Sequence, residues 1–222
     1  MLKISFLIIL FLSFSSYSFA SDFQELIIYD SDEHELVVDV YPAKGKYLQI
    51  FLTRHSDNRL MFEKLIADTV KSGIEVWRIN LVTNYFLPES SDSIDKLSGH
   101  GVSALIKHAI ELTNKNVFVS AYDRMSLVAL KGIYHWQSST NYTLDNSKHF
   151  LGSVLFYPNF YNEQKMAGLA PDLADIVKIS NLPVVIFQPK FGGHINNIEE
   201  ILSTFWSSDT AAFSYIVPGV QD

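Results

Sequence analysis

The stretch Val117-Phe118-Val119-Ser120-Ala121-Tyr122-Asp123-Arg124-Met125-Ser126-Leu127-Val128-Ala129-Leu130 decides the fold. It opens with a β-branched and aromatic run, closes with apolar residues at helical spacing, and changes from one to the other across a few polar residues. That pattern predicts a buried strand over Asn116–Ser120 passing directly into a helix from about Met125 to Trp136. Upstream, Tyr47–Thr53 reads as a strand. Leu60, Phe62, Leu65, Ile66, Thr69 and Val70 then recur at helical spacing until Gly73, and Ile74–Leu81 is a strand again. Another helix is expected over roughly Val102–Leu112, with Val102, Leu105, Ile106, Ala109 and Ile110 as its apolar stripe. Downstream, Leu151–Tyr157, Pro183–Gln188 and Phe213–Val217 read as strands, while the segment from Pro158 to Ser180 has helical stretches and no clear strand. At the start, Leu26–Tyr29 and Glu35–Tyr41 flank the polar turn Asp30-Ser31-Asp32-Glu33 and form a hairpin. The expected fold class is α/β: a mostly parallel sheet with helices on both faces, entered through an opening β-hairpin.

Composition narrows the function classes. The chain has 222 residues, 48% apolar and 14% aromatic, enough for one domain with a full core. Acidic residues outnumber basic ones 24 to 17, for a net charge of −7, and no Lys or Arg run stands out, so nucleic-acid binding is not expected. Cysteine is absent, which removes disulfides, thiolate nucleophiles and Cys-based metal sites. The seven histidines show no close ligand spacing, so no metal is assigned. Gly99-His100-Gly101 and Gly192-Gly193 lack the strand–turn–helix setting of phosphate loops, and no cofactor is assigned either.

The N-terminus reads as an address. Met1-Leu2-Lys3 is followed by an almost continuous apolar run from Ile4 to Phe14 and by small residues at Ser18 and Ala20. This is the layout of a secretory signal peptide, 1–20, with cleavage expected after Ala20 and a mature domain of 21–222 in the periplasm or secreted. The apolar run is short of the roughly 20 residues that span a bilayer, so the processed chain is not expected to span a membrane.

The order of these elements resembles the α/β-hydrolase fold, on three quoted segments: Ile50-Phe51-Leu52-Thr53-Arg54-His55, Gly73-Ile74-Glu75-Val76-Trp77-Arg78-Ile79-Asn80, and the strand–turn–helix around Asp123. Members of that superfamily carry a nucleophile on a tight turn at strained dihedrals, with small residues two positions to either side. The resemblance puts Asp123 in the nucleophile's place, with Ala121 and Met125 as the flanking residues; Ala121 is small, Met125 is not. An aspartate nucleophile would form an ester intermediate, and aspartate tolerates a positive φ better than most residues. The alternative role for Asp123 is to cap the following helix or to pair with Arg124 or another cation.

The remaining machinery that the resemblance implies is incomplete. After Leu182–Gln188 stand Pro189-Lys190-Phe191-Gly192-Gly193-His194, without the expected carboxylate, and after the last strand stand Pro218–Asp222, without a histidine. His194 is the candidate substitute base, and His55, where the family shapes its oxyanion hole, is a candidate binding residue beside Ser56. His100 is a further candidate for the same edge. Tyr122, Phe156, Tyr157 and Phe160 are expected to line a ligand site at the carboxyl edge of the sheet, where open α/β sheets bind. The expected function is that of an exported hydrolase-like protein with degenerate catalysis, binding a small molecule or a protein there. The alternatives are a hydrolase of ester-like bonds using Asp123 with a displaced His base, and a chain that naturally continues beyond Asp222.

Overall fold

The computed structural model describes residues 23–54, 59–139, 147–162, 172–191 and 195–219. They form one eight-stranded sheet with the order β1-β2-β4-β3-β5-β6-β7-β8. β1 (Gln24–Tyr29) and β2 (Glu35–Tyr41) are the antiparallel hairpin, and β2 pairs antiparallel with β4 (Ile74–Ile79). β3 (Tyr47–Leu52), β4, β5 (Asn116–Tyr122), β6 (Phe150–Phe156), β7 (Val184–Pro189) and β8 (Ala212–Val217) are all parallel. The expected parallel sheet is therefore present, and its strand limits differ from the sequence reading by one or two residues. The fourth strand stops at Ile79 rather than Leu81 because the Asn80 side chain accepts the Thr83 N–H and starts a short helix, α2 (Leu81–Asn84).

Helices cover the two faces unequally. α1 (Arg59–Lys71) packs Phe62, Ile66 and Val70 on Tyr41, Phe51 and Val76 at one face. The opposite face takes α3 (Ser91–Lys96), α4 (His100–Thr113), α5 (Met125–Ser138), α6 (Asp175–Ile179) and α7 (Ile198–Ser207). There the main core gathers Leu48, Ile50 and Leu52 of β3 with Val117, Val119 and Ala121 of β5, Leu105 and Ile106 of α4, and Met125 and Val128 of α5. Among the described residues α1 is the helix on that face, and the pleat sets Phe187 and Tyr215 on the same side of β7 and β8, beyond its reach. Phe156, Phe187 and Tyr215 instead form a ladder of rings with centroids 5.3 and 5.7 Å apart, and Tyr215 remains 59% exposed.

α7 has no counterpart in the sequence reading. Its apolar residues Ile201, Leu202 and Phe205 are buried, and Glu199 and Glu200 occupy its first turn, where the helix dipole favours acid.

Candidate functional site

The sheet order places the site. The chain runs from β3 outward to β4, then returns past β3 to β5 and continues to β8, so the direction of winding reverses between β3 and β5. The carboxyl ends of two such strands diverge into helices on opposite faces and leave a crevice. Phe51 pairs in register with Ser120, so residues three further on in each strand, Arg54 and Asp123, stand side by side at that crevice. The Arg54 guanidinium donates from Nη1 to Asp123 Oδ2 at 3.0 Å.

Asp123 occupies a sharp strand-to-helix turn with φ +47°, the strained left-handed conformation expected of the elbow. Backbone hydrogen bonds clamp it: its N–H donates to the Phe156 carbonyl at 3.1 Å, and its own carbonyl accepts from Ser126 N–H and Asn159 N–H. Met125 does not crowd the turn. Its side chain is fully buried in the main core, so the elbow forms with a large residue at the second flank.

The side chain of Asp123 neither caps α5 nor pairs with Arg124; Arg54 is the cation it meets. α5 has Arg124 at its N-cap position and no side-chain cap. Arg124 turns the other way, making a bidentate pair with Asp95 (Nε–Oδ1 2.8 Å, Nη2–Oδ2 2.7 Å) and donating from Nη1 to the Tyr161 carbonyl at 2.6 Å. This arginine ties the segment after β6 and the loop-borne helix α3 to the elbow from behind.

The candidate binding residues divide. Tyr122 is half-buried with its ring 5.5 Å from Phe62 of α1, and Phe156 is half-buried against Phe187. Tyr157 follows β6 with φ +48°, its N–H held by the Phe187 carbonyl at 2.8 Å. Phe160 is a core residue rather than a surface one: it is fully buried, 5.6 Å from the Phe205 ring in an edge-on arrangement. The candidate base His194 and the candidate binding residue His55 lie outside the described residues, as does the expected signal segment 1–20. Among the described residues, no histidine is hydrogen-bonded to Asp123.

His100 is not drawn to this crevice. Its Nδ1 lies 2.9 Å from Asp32 Oδ2 in the hairpin turn, and its ring meets His135 of α5 at 4.6 Å between centroids. Together with His108 these rings line a cleft of about 370 Å³ between the hairpin turn, α4 and α5. Spacing along the chain conceals this gathering, because the three histidines come from two helices.

Chemically, the crevice offers a half-exposed carboxylate on a strained turn, already neutralised by a guanidinium. A carboxylate attacks carbon through a free oxygen lone pair, and charge-assisted hydrogen bonding to Arg54 withdraws electron density from it.

No family model and no curated protein sequence matches the chain. Solved structures do. A putative dienelactone hydrolase from Klebsiella pneumoniae superposes with a TM-score of 0.63 at 11% identity, covering 90% of this chain and 86% of its own. An esterase from Pyrococcus furiosus gives 0.63 at 12% identity, with 90% and 85% covered. Esterase 2 from Thermogutta terrifontis, phosphorylated by paraoxon, gives 0.56 at 11% identity, with 90% and 83% covered. These likenesses, which span about nine-tenths of the chain, place it in the α/β-hydrolase fold.

Proposed function

We propose that this chain is an exported protein of hydrolase fold that has lost catalysis and kept ligand binding at the carboxyl edge of its sheet. The observation that carries the reading is the ion pair between Arg54 and Asp123, which engages the only side chain at the elbow's nucleophile position. A ligand there would meet a polar pair at the crevice and the half-buried rings of Tyr122, Phe156 and Tyr157 around it. The structural neighbours include esterases, which supports testing ester chemistry first. Purified protein should release no p-nitrophenol from p-nitrophenyl acetate or butyrate, and open no styrene oxide, above the rate of a buffer control. A fragment screen by ligand-observed NMR should find binders that are lost in Arg54→Ala. Turnover that vanishes in Asp123→Asn, with folding intact, would reverse the reading.

A second reading rests on the φ of +47° at Asp123 and on its side chain being 47% exposed. In it, an Asp123 oxygen attacks an acyl carbon to give a mixed anhydride, or an epoxide carbon to give an ester, the leaving oxygen takes a proton, and water activated by His194 or His55 cleaves that intermediate. The same assays decide between the two.

Export rests on the N-terminal pattern of residues 1–20. Mass spectrometry of periplasmic or secreted material should find Ser21 as the first residue, and intact Met1 in the membrane fraction would overturn it.

A further inference from the structure

We infer that the opening hairpin turn and the first turn of α4 together form a binding site for one divalent transition-metal ion, held by Asp30, Asp32, His34 and His100. Asp30, Asp32 and His34 each offer a ligand atom, and these atoms all lie within 4.8 Å of one another. His34 Nδ1 is 3.3 Å from Asp30 Oδ2, and His100 Nδ1 is 2.9 Å from Asp32 Oδ2. Donors at about 2.0–2.1 Å from a tetrahedral ion stand roughly 3.3 Å apart, so both pairs already have ligand spacing. Asp32 links the two pairs, and with a side chain 54% exposed it can turn to face the ion.

The surroundings are those of a held site rather than a loose acidic surface. The Asp30 side chain has no exposed area and is fixed on all sides: the Tyr85 hydroxyl donates to Oδ2 at 2.6 Å, and the N–H groups of Asp32 and His34 donate to Oδ1 at 2.8 and 3.0 Å. Glu33, at φ +64°, turns the chain so that His34 comes back over Asp30. Such outer partners orient ligands and sharpen affinity. His135 of α5 packs its ring against His100, 4.6 Å between centroids, which helps hold that imidazole where its Nδ1 meets Asp32.

A metal takes imidazole in its neutral form, so two carboxylates and two imidazoles would bring a charge of about −2 to the ion, which a divalent cation neutralises, and an all N/O donor set suits zinc and its first-row neighbours. Four protein donors leave no open coordination position, so the ion would fasten the hairpin to α4 rather than take part in a reaction. The site uses none of the residues at the Asp123 crevice and stands or falls separately from the function proposed there.

The test is isothermal titration of the chelator-stripped protein with Zn²⁺, with the cobalt(II) d–d spectrum as a report on coordination. One Zn²⁺ should bind per chain, Co²⁺ should give an intense visible band, and His34→Ala and His100→Ala should each weaken binding by about 10–100-fold. Both side chains are partly exposed, so these variants should keep the wild-type circular dichroism; Asp32→Asn gives a third test should either fail to fold. His108→Ala, in the adjoining cleft, should bind as wild type. Absence of saturable binding, binding indifferent to the His34, His100 and Asp32 changes, or loss in His108→Ala alone would each overturn the assignment.

Discussion

Arg54 and Asp123, 69 residues apart in the chain, meet at 3.0 Å where β3 and β5 end side by side. Their meeting follows from the parallel register of two strands, and it joins an arginine two residues beyond β3 to the position that a hydrolase of this fold would use for attack.

Because both side chains are partly exposed, this pair should contribute little to folding. Arg54→Ala and Asp123→Asn are expected to lower stability by about 0.2–1 kcal/mol each, read as a small change in urea midpoint at unchanged slope. A loss above 2 kcal/mol in either would mean that the pair is a structural anchor of the elbow rather than a substituent of the site.

Arg124 should behave differently. Its side chain is only 11% exposed and makes three charge-assisted hydrogen bonds, two to Asp95 and one to the Tyr161 carbonyl. Arg124→Ala should cost about 2–3 kcal/mol in urea unfolding and should raise amide exchange at Tyr161, where an orphaned carbonyl loosens the segment. Stability within 0.5 kcal/mol of wild type would show that the clamp is not needed.

Asp30 gives a pH dependence whose sign can be worked out. Burial alone would raise its pKa, but the Tyr85 hydroxyl, the His34 and Asp32 N–H groups and the nearby His34 imidazole together hold it below the usual carboxylate value. A folded-state pKa below the unfolded one, about 3.9, stabilises the fold above that pH, and the contribution is lost as pH falls through the folded value. In metal-free buffer at pH 7, Asp30→Ala should cost about 1–3 kcal/mol, since it strands the Tyr85 hydroxyl and two N–H groups. The gap between variant and wild type should narrow below about pH 4; a gap that stays constant down to pH 2.5 would contradict the linkage.

Gly132 tests the helix packing behind the elbow. In an ordinary helix, Gly→Ala gains about 1 kcal/mol. Here a Cβ on Gly132 would overlap the Val102 side chain and lie 2.9 Å from the Gly99 carbonyl oxygen, because α4 and α5 touch nearly backbone to backbone. Overpacking costs about 1–3 kcal/mol, so Gly132→Ala should come out destabilised by about 1–2 kcal/mol in thermal or urea unfolding. A stabilised variant would mean that the two helices separate at little cost.

Much of the fold was legible from local pattern. The strands are buried runs of β-branched and aromatic residues, and α1, α4 and α5 show stripes at helical spacing, because a sheet covered by helices must bury one face of each element. α7 carries the same spacing in Ile198, Ile201, Leu202 and Phe205, but over only ten residues, a window too short for the period alone to announce a helix. Phe160 shows the limit of composition: an aromatic cluster after a strand has the same make-up whether it faces a ligand or a core, and the approach of α7 through Phe205 decides for the core.

The sequence by itself determined the alternation of strand and helix, the positive-φ-tolerant residue at the elbow and the absence of cysteine chemistry, all properties that residues carry locally. The tertiary structure alone decided which cation meets Asp123, that Arg124 serves Asp95 instead, that Met125 finds room in the core, and that His34 and His100 converge on one hairpin turn. Those outcomes depend on register and on which way the chain winds back past β3, and a side chain's partners across a sheet are set by strand order, which no short stretch of sequence encodes.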